Sequence, residues 1–141
     1  SRIIREYLKD GNIKIANKLL GKEYKIYGHQ IKGQGLGTKS FVPTINLKIE
    51  EFLLPQEGVY VTKTILDDKE FNSITFLGHR ATTDGSYAVE THIIDENIKN
   101  SNYTTQIKFY EKLRDNKKFD SFEELKKQIL NDIETTRIYF K

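Results

Sequence analysis

The sequence has no cysteine, no methionine and no tryptophan, and only two of its 141 residues are proline. Without cysteine there are no disulfides, no thiolate nucleophiles and no cysteine-ligated zinc sites, which fits a reducing compartment. No apolar run approaches the ~18 residues of a membrane-spanning helix, and no basic-then-apolar leader opens the chain, so a soluble, cytoplasmic protein is expected. Charge of one sign is lacking too. The 23 basic and 20 acidic residues leave a net charge of only +3 and are interspersed. Nucleic-acid binders concentrate their basic groups in a stripe, so neither nucleic acid nor membrane is expected as a partner.

What is present is enough for a core. Hydrophobic residues make up 37% of the chain, with eight Tyr and eight Phe, against 30% charged. Disorder would need fewer aromatics and a larger net charge. The length is that of one domain. With Ser1 first and no methionine anywhere, the chain reads as a piece cut from a longer one.

Three zones follow one another. Ile3, Ile4, Tyr7 and Leu8 share one face of a short helix stopped by Gly11. Ile13, Ala16, Leu19 and Leu20 form the face of a second, capped by Asn12 and ended by Gly21. From Tyr24 to about Tyr110 the pattern switches to period two with turn punctuation. It predicts strands at Tyr24–Ile31, Thr44–Ile49, Val59–Leu66, Glu70–Leu77, Ser86–Ile94 and Thr104–Phe109. Six short strands with no helices between them imply a mainly β fold, an antiparallel sheet most easily closed as a barrel. Ser121-Phe122-Glu123-Glu124 is a capping box. Phe122, Leu125, Ile129 and Ile133 then predict a C-terminal helix of about 18 residues with an apolar stripe facing a partner.

Two segments carry candidate chemistry. In Gly33-Gln34-Gly35-Leu36-Gly37, three glycines in five residues let backbone N–H groups approach an anion; the same composition suits an ordinary hairpin tip. Beyond the loop, Pro43 leads into a strand with Thr44 and Asn46 on one face and Ile45, Leu47 and Ile49 on the other. A hydroxyl and an amide oxygen side by side are hard-oxygen groups of the kind Mg²⁺ accepts together with phosphate, or else plain polar surface. On the fifth strand, Tyr87, Val89, Thr91 and Ile93 share one face and leave Glu90 and His92 on the opposite one. A carboxylate in mid-strand among apolar residues is costly unless paired, here with a cross-strand lysine, or used as a base toward a hydroxyl nucleophile. His92 reads as a structural, hydrogen-bonded histidine. With His29 and His79 it shows no metal-ligand spacing, and no Gly-x-Ser-x-Gly elbow is present.

Taken together, these segments resemble bacterial riboflavin kinase, as found in the kinase module of bifunctional riboflavin kinase/FAD synthetases. The likeness rests on four pieces in order. They are Ser1–Arg5 with Ala16–Gly21; Gly33-x-Gly35-x-Gly37 through Pro43-Thr44-Ile45-Asn46; Val89-Glu90-Thr91-His92-Ile93-Ile94-Asp95; and Leu113-Arg114-Asp115-Asn116 through Ser121. The chain differs from the family at Phe41-Val42, where Gly-Phe is usual, and at Ala81-Thr82-Thr83 after Arg80, where Pro-Thr-Phe is usual. The resemblance implies a six-stranded antiparallel Greek-key barrel with short N-terminal helices and a C-terminal helix. It implies residues 1–21 as a helical linker from a missing upstream adenylyltransferase module and 22–141 as the riboflavin kinase domain. The implied reaction moves the γ-phosphate of ATP to the terminal hydroxyl of riboflavin, with Mg²⁺ as cofactor. Gly33, Gly35, Gly37, Thr44 and Asn46 then bind nucleotide, Thr44 and Asn46 hold the metal, Glu90 is the catalytic base, and Arg114 and Arg80 contact flavin. The alternative is a non-catalytic flavin- or nucleotide-binding barrel of the same descent.

Overall fold

The computed structural model describes residues 1–31, 42–80, 85–98 and 104–141. The Gly33–Gly37 loop, Phe41 and the Ala81-Thr82-Thr83 stretch lie outside them. Six strands run β1 (Tyr24–Ile31), β2 (Ile45–Lys48), β3 (Gly58–Leu66), β4 (Lys69–His79), β5 (Tyr87–Ile93) and β6 (Thr104–Arg114). They close into an antiparallel barrel in the order β1-β2-β5-β4-β3-β6. The second strand therefore neighbours the fifth rather than the third, and β6 returns to β1 to seal the wall.

Five strands lie within about two residues of where the period-two pattern puts them. The sixth runs on to Arg114, past the expected end at Phe109. Its pairing with β3 slips twice, between Val59 and Tyr60 and between Val61 and Thr62. Each slip places an extra residue on β6, and after Phe109 the buried–exposed alternation stops. A bulge erases the period by which a strand is recognised while the ladder continues, and it re-aims the side chains beyond it.

Inside the barrel, Ile26, Ile45, Leu47, Leu77, Val89, Ile107 and the edge-to-face pair Tyr60–Phe109 form the apolar core. Next to them lies a fully buried cycle of hydroxyls. Thr64 donates to Ser73 (2.8 Å), Ser73 meets Thr62 (2.7 Å), Thr62 meets Thr75 (2.8 Å), Thr75 donates to Thr91 (3.0 Å), and Thr91 meets Thr64 (2.9 Å). Five protons suffice for five bonds if all run in one sense, so every oxygen in the cycle donates once and accepts once. The carbonyl of Ile74, 3.3 Å from the Thr91 hydroxyl, competes for that proton at longer range.

The helices pack outside. Helix α1 (Arg2–Lys9) and helix α2 (Ile13–Leu20) lay Leu8, Ile13 and Ala16 into the barrel's own core. Gly11 and Gly21 both take positive φ at the helix ends, and the Asn12 side chain accepts from the Ile15 N–H. Asn17 fastens α2 to the seam: its amide donates to the Phe109 carbonyl (2.7 Å) and accepts from the Tyr24 N–H (2.8 Å). Leu19 and Ile3, expected on the apolar faces, are more than half exposed.

Helix α3 (Phe122–Tyr139) starts as expected, with Ser121 Oγ accepting from the Glu124 N–H. Its apolar stripe is thinner than the spacing predicts. Ile133 is buried and Leu125 and Ile129 are half-buried, but Phe122 is 50% exposed. Polar anchors make up the difference. Buried Asp132 binds Arg114, and Arg137 pairs with Asp95 at the end of β5 (2.6 Å).

Candidate active site

Because β2 pairs with β5, Asn46 and Glu90 are direct cross-strand partners, and β4 brings Phe76 against Glu90 from the other side. Opposite neighbours share a face. Ile45, Leu47, Val89 and Thr91 point into the barrel, so Asn46 and Glu90 stand together on its outer wall. Asn46 is 8% exposed and Glu90 is half-buried. The residue that joins them is Arg80, immediately after the end of β4. Its Nη2 donates to Asn46 Oδ1 at 2.7 Å and lies 3.4 Å from Glu90 Oε1. Glu90 is therefore paired, but with an arginine from the β4–β5 connection and not with a cross-strand lysine.

Burial pushes the Glu90 carboxyl above the usual carboxylate range, and the Arg80 guanidinium pulls it back only in part. A carboxylate with raised proton affinity is a better base than one in water. Arg80 keeps a buried Nε without a hydrogen-bond partner among the described residues.

Thr44 is half-buried just ahead of β2 and lines a cavity of about 280 Å³ with Pro43, His92, Glu96 and Ile98 among others. His92 has a structural part there, its Nδ1 2.7 Å from the Pro43 carbonyl oxygen. That contact ties the entry of β2 to β5.

Arg114 lies elsewhere, in a cleft of about 610 Å³ between the end of β6 and α3. Its guanidinium is fixed by Asp132: Nε donates at 3.0 and 3.1 Å to the two carboxylate oxygens, and Nη2 lies 2.9 Å from Oδ2. Gln128 donates to Asp132 Oδ1 (2.9 Å), and Arg114 Nη1 donates to the Asp115 carbonyl (3.1 Å). The Arg114 guanidinium also stands 5.9 Å from the Phe119 ring centre. The cleft meets the outer-wall site at the end of β4, where Asn116 donates to the Leu77 carbonyl (3.1 Å). Gly78 makes that contact possible, since a Cβ there would collide with the Asn116 amide.

The structure thus brings Asn46, Glu90 and Arg80 together, sets Thr44 one residue short of β2, and puts Arg114 in an adjoining cleft. Asp132 and Gln128 are not singled out by the sequence, and Asn116 enters there only within the motif that carries the resemblance. Asp132 sits beside Ile133 in a helix read for its apolar stripe, and only the partner supplied by β6 explains a buried acid there.

The donor set suits Mg²⁺ bound with a nucleotide. Among the described residues no cluster of three or more His, Cys, Asp or Glu side chains is arranged as a metal cage. Mg²⁺ on a nucleotide takes most of its ligands from phosphate and water and needs only one or two protein oxygens. The convergence of Asn46 Oδ1 and Glu90 Oε1 on one guanidinium marks a place where a cation is welcome.

Comparison with known proteins gives the family. A family model described as flavokinase, riboflavin kinase, matches residues 20–140. Bifunctional riboflavin kinase/FMN adenylyltransferases are similar over 99% of the chain, the protein of Haemophilus influenzae at 36% identity and that of Escherichia coli K12 at 31%. The matches take up 46% and 45% of those proteins, so the chain spans about half the length of the curated relatives it matches. Among solved structures, a macrolide-efflux protein from Streptococcus pneumoniae is similar with a TM-score of 0.87 and 32% identity, over 97% of this chain and 46% of that one. Efflux is said of that protein only, because one fold hosts many activities. Among the described residues no helix is long and apolar enough to cross a membrane. With the family model spanning the whole barrel and α3, the chain belongs to the riboflavin kinase family.

Proposed function

We propose that the chain phosphorylates riboflavin, transferring the γ-phosphoryl group of ATP to the terminal ribityl hydroxyl to give FMN and ADP in the cytoplasm. The observation that carries this reading is Glu90, a half-buried carboxylate with raised proton affinity, set directly opposite Asn46. Phosphoryl transfer asks a protein mainly for position and electrostatics: a cradle for the phosphates, neutralisation of charge, an oriented hydroxyl and a base. Glu90 accepts the hydroxyl proton as the oxygen bonds to phosphorus and the bond to the ADP oxygen breaks. Asn46 and Thr44 are the oxygens for Mg²⁺, which when bound neutralises the phosphate charge. Backbone N–H groups of Gly33, Gly35 and Gly37 are assigned to the phosphates, although that loop lies outside the described residues.

The cleft beside Arg114 has the volume of a cofactor-sized site. We assign the flavin to it, with Arg114 oriented by Asp132 and with Arg80 where the cleft meets the outer wall. In the bifunctional relatives an adenylyltransferase is part of the same protein; we place such a module upstream of this chain in the full-length protein. Incubation with riboflavin and Mg-ATP tests the reading. FMN and ADP in equal amounts are expected, and flavin binding without FMN would establish the non-catalytic barrel instead.

A further inference from the structure

We propose that Arg80 is the site's built-in counter-cation: its guanidinium holds Asn46 Oδ1, an oxygen that the divalent cation uses, together with the carboxylate of Glu90, and the metal–nucleotide complex enters by displacing it. The inference rests on the assignment of Asn46 and Glu90 to the phosphoryl-transfer site.

Four observations support it. Arg80 Nη2 donates to Asn46 Oδ1 at 2.7 Å, so the amide oxygen assigned to the metal is already capped by a positive group. The same nitrogen stands 3.4 Å from Glu90 Oε1, so the base is held in an ion pair. Both side chains are largely out of water, Arg80 at 15% and Glu90 at 28% exposure. Finally, Arg80 Nε is buried with no partner among the described residues. A buried N–H left unpaired is expensive, and an acceptor arriving from outside would satisfy it. An arginine fork that spends one nitrogen on the resting contacts and holds another in reserve suits an incoming phosphate.

The consequence is a coupling between nucleotide and base. A divalent cation and a guanidinium repel each other and cannot share Asn46 Oδ1, so arrival of one moves the other. The departing guanidinium finds the nucleotide's phosphate oxygens, where Nε gains the acceptor that none of the described residues provides. Glu90 loses its ion-pair partner in the same event. The base is released for the ribityl hydroxyl only after nucleotide is in place.

The test uses the 141-residue chain and two probes that need no turnover. Mn²⁺ binding without nucleotide is followed by electron paramagnetic resonance, and ADP binding in EDTA by calorimetry. Arg80→Met is expected to tighten Mn²⁺ by about tenfold or more, the effect of removing a like charge at this distance. The same variant is expected to weaken metal-free ADP. Arg80→Lys, a point charge that cannot span both oxygens, is expected to fall between the two and serves if the Met variant does not fold. Adding Asn46→Ala to either variant must abolish the Mn²⁺ gain. Unchanged or weaker Mn²⁺ binding in both folded variants overturns the proposal, as does a gain that survives loss of Asn46. A wild-type chain that makes no FMN would refute the functional assignment instead, and that assay is read independently of the Mn²⁺ titration.

Discussion

Glu90 makes folding and catalysis pull in opposite directions. Burial raises its proton affinity, and Arg80 offsets only part of that. A carboxyl whose folded-state pKa lies above its unfolded value binds protons more tightly when folded. Its contribution therefore favours the folded state increasingly as pH falls through the folded pKa, and it penalises folding at neutral pH. Glu90→Gln keeps the shape and removes both the base and the penalty. Turnover is expected to fall by roughly 10²–10⁴-fold while flavin binding persists, and the variant should melt no lower than wild type at neutral pH. Parallel FMN assays and thermal melts check this. Near wild-type turnover would remove Glu90 from the base role, and a lower melting point would show that the Arg80 pair outweighs burial. Thr44→Val, a β-branched replacement without the oxygen, is expected to raise the Mg²⁺ and ATP requirements more than the riboflavin requirement. Equal shifts in all three titrations would make Thr44 structural.

At the scale of elements, the hydroxyl cycle locks β3, β4 and β5 to one another. Each member donates to the next, so deleting one strands a donor on one side and an acceptor on the other. Thr91→Val or Thr64→Val alone is expected to cost about 1–3 kcal/mol, as for a buried polar group left unpaired. The double variant should cost clearly less than the sum, because the two share a bond. Denaturant titration of the four proteins closes the thermodynamic cycle, and simple additivity would mean that the hydroxyls do not act as a unit. Period-two alternation correctly puts Thr91 on the inner face with Val89 and Ile93, yet nothing local says that hydroxyls from three strands meet there. The same limit explains the site. Thr44, Asn46 and Glu90 are legible as unusual residues in their own segments, and β1 is legible to its last residue. That Asn46 faces Glu90 comes from β2 lying beside β5, a long-range pairing invisible to local pattern. Arg80 likewise reads as a residue of a surface connection until β4 and β5 fix where it starts. Asp132 is hidden for a further reason: its partner Arg114 lies beyond bulges that erase the strand signal.

For the molecule as a whole, the chemistry available sets a boundary on the product. The three histidines, His29, His79 and His92, are far apart in sequence, and the chain has no His-x-x-His turn of the sort the resemblance leads one to expect in an adenylyltransferase. Supplied with FMN and Mg-ATP, this chain is expected to release no pyrophosphate and to form no FAD above background. Chromatography of the flavins decides it, and FAD formation would mean that a second nucleotide site has gone unrecognised.

The seam between β1 and β6 bears on how the molecule is made. Every hydrogen bond across it joins the first strand to the last, so the wall cannot shut until nearly all of the domain has left the ribosome. Until then β1 waits with an unsatisfied edge, and α2 lacks the Phe109 carbonyl that Asn17 grips. Contacts of such long sequence separation fold slowly, because loop entropy is lost before the pairing rewards it. Nascent chains stalled before β6 should accordingly be cut readily by protease, and those extended past it should abruptly resist.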